Sequence, residues 1–106
     1  MNQNDQPTEH ILACLSSSPS NAKIVRTAAT MAKAFGGTFT ALYVRTPDSG
    51  QMGKEDCRRL QQHIRMAEQA GADISTIYGD DIPQQIAEFA RISGITKIVL
   101  GRSSVH

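Results

Sequence analysis

The chain has 106 residues, 40% of them hydrophobic and 5% aromatic, with no tryptophan; this suits one small domain with a core of Ile, Leu, Val, Ala and a few Phe. Net charge is +1, so no single-sign field recruits nucleic acid or an acidic membrane. Cys14 and Cys57 match no metal spacing and read as reduced structural thiols, and no apolar run approaches the roughly 18 residues that cross a bilayer.

Met1 to Glu9 is polar without a hydrophobic centre, which reads as a flexible leader and not a signal peptide. Residues 10–106 then form a single domain. Ile11–Leu15 is short and wholly apolar, as in a strand buried on both faces of a parallel sheet. The serine-rich stretch "SSSPSN" follows. Ile24, Ala28, Met31, Ala32 and Phe35 recur at helical steps, with Ser18 as N-cap, Pro19 as first helical residue and Ser20 as rival cap. Gly36 and Gly37 end this helix.

"TFTALYV", Thr38–Val44, reads as a second strand, and Arg45–Gly53 as a loop. Lys54–Ala70 is a second helix with Cys57, Leu60, Ile64 and Ala67 on its inner face; Glu55, Asp56, Arg58 and Arg59 form a solvated face. Ala72–Tyr78 is a third strand. Asp80 and Asp81 precede a third helix that starts near Pro83 and turns Ile86, Phe89 and Ala90 inward. Thr96–Leu100 is a fourth strand. The alternation implies an α/β fold, a parallel sheet covered by helices.

In such sheets ligands bind beyond the carboxyl ends of the strands, where strand order reverses. With strand one between strands two and four, Ser16–Ser20 and Gly101–Ser104 meet there. The first loop opens a helix, whose free N–H groups and dipole favour an anion, and Arg102 adds a cation; phosphate is the natural guest. A Ser-Pro-Ser opening also caps a helix without any ligand, so the loop alone leaves both readings open. Tyr43, at the end of strand two, either stacks on a base or is core with a wet tip. Phe39 and Ala41 share its face, with Phe39 deeper. There is no GxxxxGK[ST] and no GxGxxG, and His10, His63 and His106 are scattered without a partner, so no catalytic or metal set is visible.

The order of elements, "ILACLSSSPSNAKIVRTAATMAKAFGGTFTALYV" and the closing "KIVLGRSS" resemble the universal stress protein domain, in the version carried by bacterial sensor histidine kinases of potassium control. The resemblance covers Ile11–Ser104. It implies a three-layer α/β/α sandwich of the adenine nucleotide alpha hydrolase-like type, strand order 3-2-1-4, with a fifth strand missing from this fragment of a longer kinase. The family pairs through that fifth strand, and the resemblance implies a homodimer as a partner assembly. One branch of these sensors binds cyclic di-AMP and is marked by Ser-x-Ser, twenty residues, then FTAxY. Ser16-Ser17-Ser18, the twenty residues Pro19–Thr38, and Phe39-Thr40-Ala41-Leu42-Tyr43 match it throughout. By similarity Ser16, Ser18 and Tyr43 are the foremost contacts, Phe39, Thr40 and Ala41 are motif residues, and Gly101, Arg102 and Ser103 complete the site. The ATP-binding pattern G-x2-G fails, because Ser104 stands where the second glycine belongs. The resemblance therefore implies a cytoplasmic sensor module of an inner-membrane kinase, with no catalysis or cofactor of its own and cyclic di-AMP as ligand. The alternatives are an ATP- or AMP-binding domain and a ligand-free interaction module.

Overall fold

A computed structural model of the chain describes residues 8–101. Four strands, β1 (His10–Cys14), β2 (Thr38–Arg45), β3 (Asp73–Tyr78) and β4 (Lys97–Val99), alternate with three helices, α1 (Asn21–Phe35), α2 (Lys54–Gln69) and α3 (Ile82–Ser93). All strand pairs are parallel and the order is β3-β2-β1-β4. That is the expected sandwich and strand order.

The core follows from alternation along the two central strands. Ile11 and Ala13 on β1, with Phe39 and Ala41 on β2, face α1 and α2 and meet Val25, Ala28, Ala32, Leu60 and Ala67. Leu12, Leu42 and Val44 face the other way, onto Ile86 and Phe89 of α3. Both faces of β1 are therefore apolar, which is why its sequence reads as an unbroken run. The α3 layer is thinner: that helix has no fully buried residue, and Ile92 is exposed.

Four boundaries and faces differ from the sequence reading. α1 starts at Asn21 because Ser18–Asn21 forms a tight turn, with the Asn21 N–H donating to the Ser18 carbonyl at 2.9 Å. Pro19 sits at the second position of that turn, where its fixed φ belongs. Ser20 is the N-cap residue, yet its side chain makes no capping bond. On α1, Val25 takes the core position and Phe35 is exposed. On α2, His63 occupies the buried stripe between Leu60 and Ala67, and Cys57 is exposed.

The strand entries are tied together at the opposite end of the sheet. Thr96 Oγ1 accepts from the His10 N–H at 2.9 Å and donates to Glu9 Oε1 at 2.6 Å. The Thr38 N–H donates to the Glu9 carbonyl at 2.9 Å, so Glu9, read from sequence as leader, is held against the sheet. Gly37 is required here, because a Cβ would lie 2.1 Å from that carbonyl oxygen. Within the described residues no helix is long and apolar enough to cross a membrane.

Candidate functional site

The reversal of strand order falls at β1, between β2 and β4. A cleft of about 610 Å³ opens at the carboxyl ends of these strands. Its floor and one wall are Cys14, Leu15 and the serine loop; Tyr43, Thr46 and Ser49 form a second wall; Ile82, Ile86, Leu100 and Gly101 close the third. The volume lies within the roughly 300–1,000 Å³ of small-molecule sites.

The loop is fixed by side chains behind it. Asn21, buried at 4% exposure, donates from Nδ2 to the Cys14 carbonyl at 2.8 Å and accepts on Oδ1 from the Ser16 N–H at 3.1 Å. His63 Nδ1 donates to the Ser16 carbonyl at 2.7 Å, and Arg59 Nη1 donates to the Ser17 carbonyl at 2.9 Å. The Ser18 N–H donates to Ser16 Oγ at 3.2 Å, and the Ser18 and Ser20 hydroxyls meet at 3.0 Å. The Cys14, Ser16 and Ser17 carbonyls are thus engaged by side chains, and the serines of the loop line the cleft beside the start of α1. The Asn21 and Lys23 N–H groups are taken by the Ser18 and Ser20 carbonyls, so this end of α1 offers an anion its partial positive charge and the neighbouring serine hydroxyls.

Tyr43 is half-buried, and its hydroxyl reaches Ser49 Oγ at 3.4 Å. The 3-10 turn Pro47–Gln51 places Ser49 there: the Thr46 N–H donates to Ser49 Oγ at 2.9 Å in a reciprocal capping box. Burial pushes the Cys14 thiol up from 9.0 to about 11, which makes it a poor nucleophile at neutral pH. Among the described residues, the lining carries one carboxylate, Asp48, and no Lys or Arg. No cluster of three or more metal-ligating side chains occurs among them either.

Of the residues singled out by sequence, the cleft brings together Ser16, Ser18, Tyr43 and Gly101. Ala41 and Phe39 lie deeper in the core on the Tyr43 side of β2, and Thr40 is half-buried within the strand; none of the three lines the cleft. Arg102, Ser103 and Ser104 lie outside the described residues. Sequence reasoning did not find Asn21, Arg59, His63 or Ser49. For His63 a signal existed: a polar residue at i+3 from Leu60 and i−4 from Ala67 sits inside an apolar stripe.

A larger recess, about 960 Å³, lies at the other end of the sheet against Gly36, Gly37, Gln69, Gly71 and Asp73. Two helix C-termini and Asp73 meet there, together with one cation, Lys33. The serine-loop cleft differs in gathering a helix start and several hydroxyls, although it is the smaller.

No family model matches the chain. Over 96 residues, 91% of this chain, it is 38% identical to the sensor protein KdpD of Clostridium acetobutylicum. The chain spans only 10% of that relative's length. Its fold matches the universal stress protein UspA of Lactobacillus plantarum with a TM-score of 0.71, at 20% identity, covering 96% of this chain and 84% of that one. It also matches a universal stress protein solved in complex with cAMP, with a TM-score of 0.66, at 16% identity, covering 88% of this chain and 71% of the other. The chain therefore has the universal stress protein fold and is similar to one segment of a KdpD sensor protein.

Proposed function

We propose that this domain, a universal stress domain of the KdpD kind, is a regulatory nucleotide-binding module whose ligand is cyclic di-AMP. The observation that carries the reading is the cleft itself: it sets the hydroxyls of the serine loop and the start of α1 opposite Tyr43, at the one place in the sheet where strand order reverses. A phosphate accepts from the Ser16 and Ser18 hydroxyls, beside the positive end of the α1 dipole. The Tyr43 ring offers an adenine a face, and its hydroxyl a hydrogen bond. Ile82, Ile86 and Leu100 give the base an apolar wall.

Phe39, Thr40 and Ala41 shape the strand that presents Tyr43. Gly101 leaves room at the rim, and Arg102 and Ser103 follow it in sequence, with Arg102 supplying the cation that the described lining lacks. A protein of the same fold solved in complex with cAMP supports an adenine nucleotide as the class of ligand. The domain performs no chemistry on the ligand. It belongs to the cytoplasmic part of a membrane-bound bacterial sensor histidine kinase, and occupancy favours one arrangement of that kinase, which controls potassium uptake.

Isothermal titration of the 106-residue chain with cyclic di-AMP, ATP and cyclic di-GMP tests this, with Tyr43→Ala as control. Saturable binding of cyclic di-AMP, weakened by the substitution, is the expected result. Binding of ATP instead would make it a general adenine-nucleotide domain. Heat from none of the three would leave an interaction module.

A further inference from the structure

Two side chains one turn apart on α2 grip the serine loop from behind. The loop atom that faces His63 Nδ1 is the Ser16 carbonyl oxygen, at 2.7 Å. A carbonyl only accepts, so Nδ1 carries the proton. The imidazole is 4% exposed and stands among core residues of α2. Four residues earlier, Arg59 donates to the next carbonyl, that of Ser17, at 2.9 Å. The same guanidinium nitrogen lies 3.1 Å from Asp56, which fixes it along the helix. Asp56, Arg59 and His63 thus form one stripe at helical spacing, running from the first turn of α2 up to the loop.

We propose that Arg59 and His63 are positioning residues for the ligand site: a two-point tether through which α2 sets the shape of the serine loop. The proposal rests on the nucleotide-binding reading above. Carbonyl dipoles turned into the cleft would repel a phosphate; the tether turns two consecutive ones towards α2. Without the His63 donor the Ser16 carbonyl loses its partner, and the loop is free to rotate that dipole back. The same bonds carry a displacement of the loop into α2, the only helix besides α1 whose side chains hold the loop among the described residues.

The test compares His63→Leu with His63→Asn, because the Asn side-chain nitrogen can occupy the place of Nδ1. In ligand-free protein, two-dimensional amide spectra should show Ser16, Ser17 and Ser18 shifted in His63→Leu, with the α3 amides unmoved, and near wild type in His63→Asn. Titrated with cyclic di-AMP, His63→Leu should bind about tenfold more weakly, and His63→Asn within about twofold of wild type. A folded His63→Leu with wild-type loop amides and wild-type affinity overturns the tether. Failure of the wild-type chain to bind cyclic di-AMP overturns the ligand reading, and the ligand-free spectra then decide the tether alone: unmoved loop amides refute it. If His63→Leu does not fold, Arg59→Met, altered at a part-exposed position, takes the same two measurements.

Discussion

Asn21→Ala removes both bonds that join the end of β1 to the start of α1. The side chain is 4% exposed, and it serves the Cys14 carbonyl at 2.8 Å and the Ser16 N–H at 3.1 Å. Each orphaned backbone group costs about 1–3 kcal/mol when water cannot replace the partner. Cys14 and Ser16 are only half-buried, so the lower figure applies to each. The expected loss is about 2 kcal/mol, a large share of the roughly 5–15 kcal/mol that hold a small domain together. It corresponds to a fall in Tm of about 8–16 °C. Urea unfolding followed by far-UV circular dichroism measures it, with the slope on denaturant unchanged. Ser20→Ala is the contrast. Ser20 holds the N-cap place without a side-chain cap bond, so its loss should cost under about 0.5 kcal/mol. An Asn21→Ala chain within about 0.5 kcal/mol of wild type, or an equal loss in Ser20→Ala, would refute the buried role of Asn21.

Asp81 accepts from the Gln84 N–H at 3.2 Å, so Asp81→Ala should lose about 1 kcal/mol in the same assay; no loss would mean the cap is idle. Tyr43→Phe gives up only a long 3.4 Å bond to Ser49, so thermal stability should hold within about 0.5 kcal/mol while cyclic di-AMP affinity falls; equal affinity would reduce the tyrosine to its ring. The Cys14 thiol keeps its proton to about pH 11 in the folded chain and sheds it near 9.0 when unfolded. Stability owed to the neutral thiol is therefore intact below pH 9 and drains away as pH rises towards about 11. Denaturation of wild type and Cys14→Ala at about pH 8 and about pH 10.5 should show their difference moving against wild type; a constant difference contradicts it.

The layers were legible because apolar periodicity and burial coincide. The unbroken run at β1 and the alternation through Phe39, Ala41 and Tyr43 read directly as strands with known faces. The serine loop and Tyr43 could be placed together because topology alone brings the ends of β1 and β2 side by side. What sequence did not reveal is how the loop is held. Arg59 and Glu55 look alike in a helical pattern, yet Arg59 reaches a carbonyl 42 residues back, and only the packing of α2 beside the loop makes that contact. The hydrophobic type of Cys57 points it inward, whereas the buried stripe of α2 runs through Leu60, His63 and Ala67 and leaves Cys57 exposed. At α1, serine propensity pointed to a side-chain cap, and a turn through Pro19 with a buried Asn21 did the work instead. Local preference named the residue types; long-range hydrogen bonds decided their roles.

The most direct measurement is an amide map of the isotope-labelled chain titrated with cyclic di-AMP. The account predicts perturbations gathered at Ser16 to Asn21, Tyr43, Ser49 and Gly101, around the cleft at the strand ends. Perturbations gathered instead at Gly36, Gly37 and Gly71, or none at saturating ligand, would contradict it.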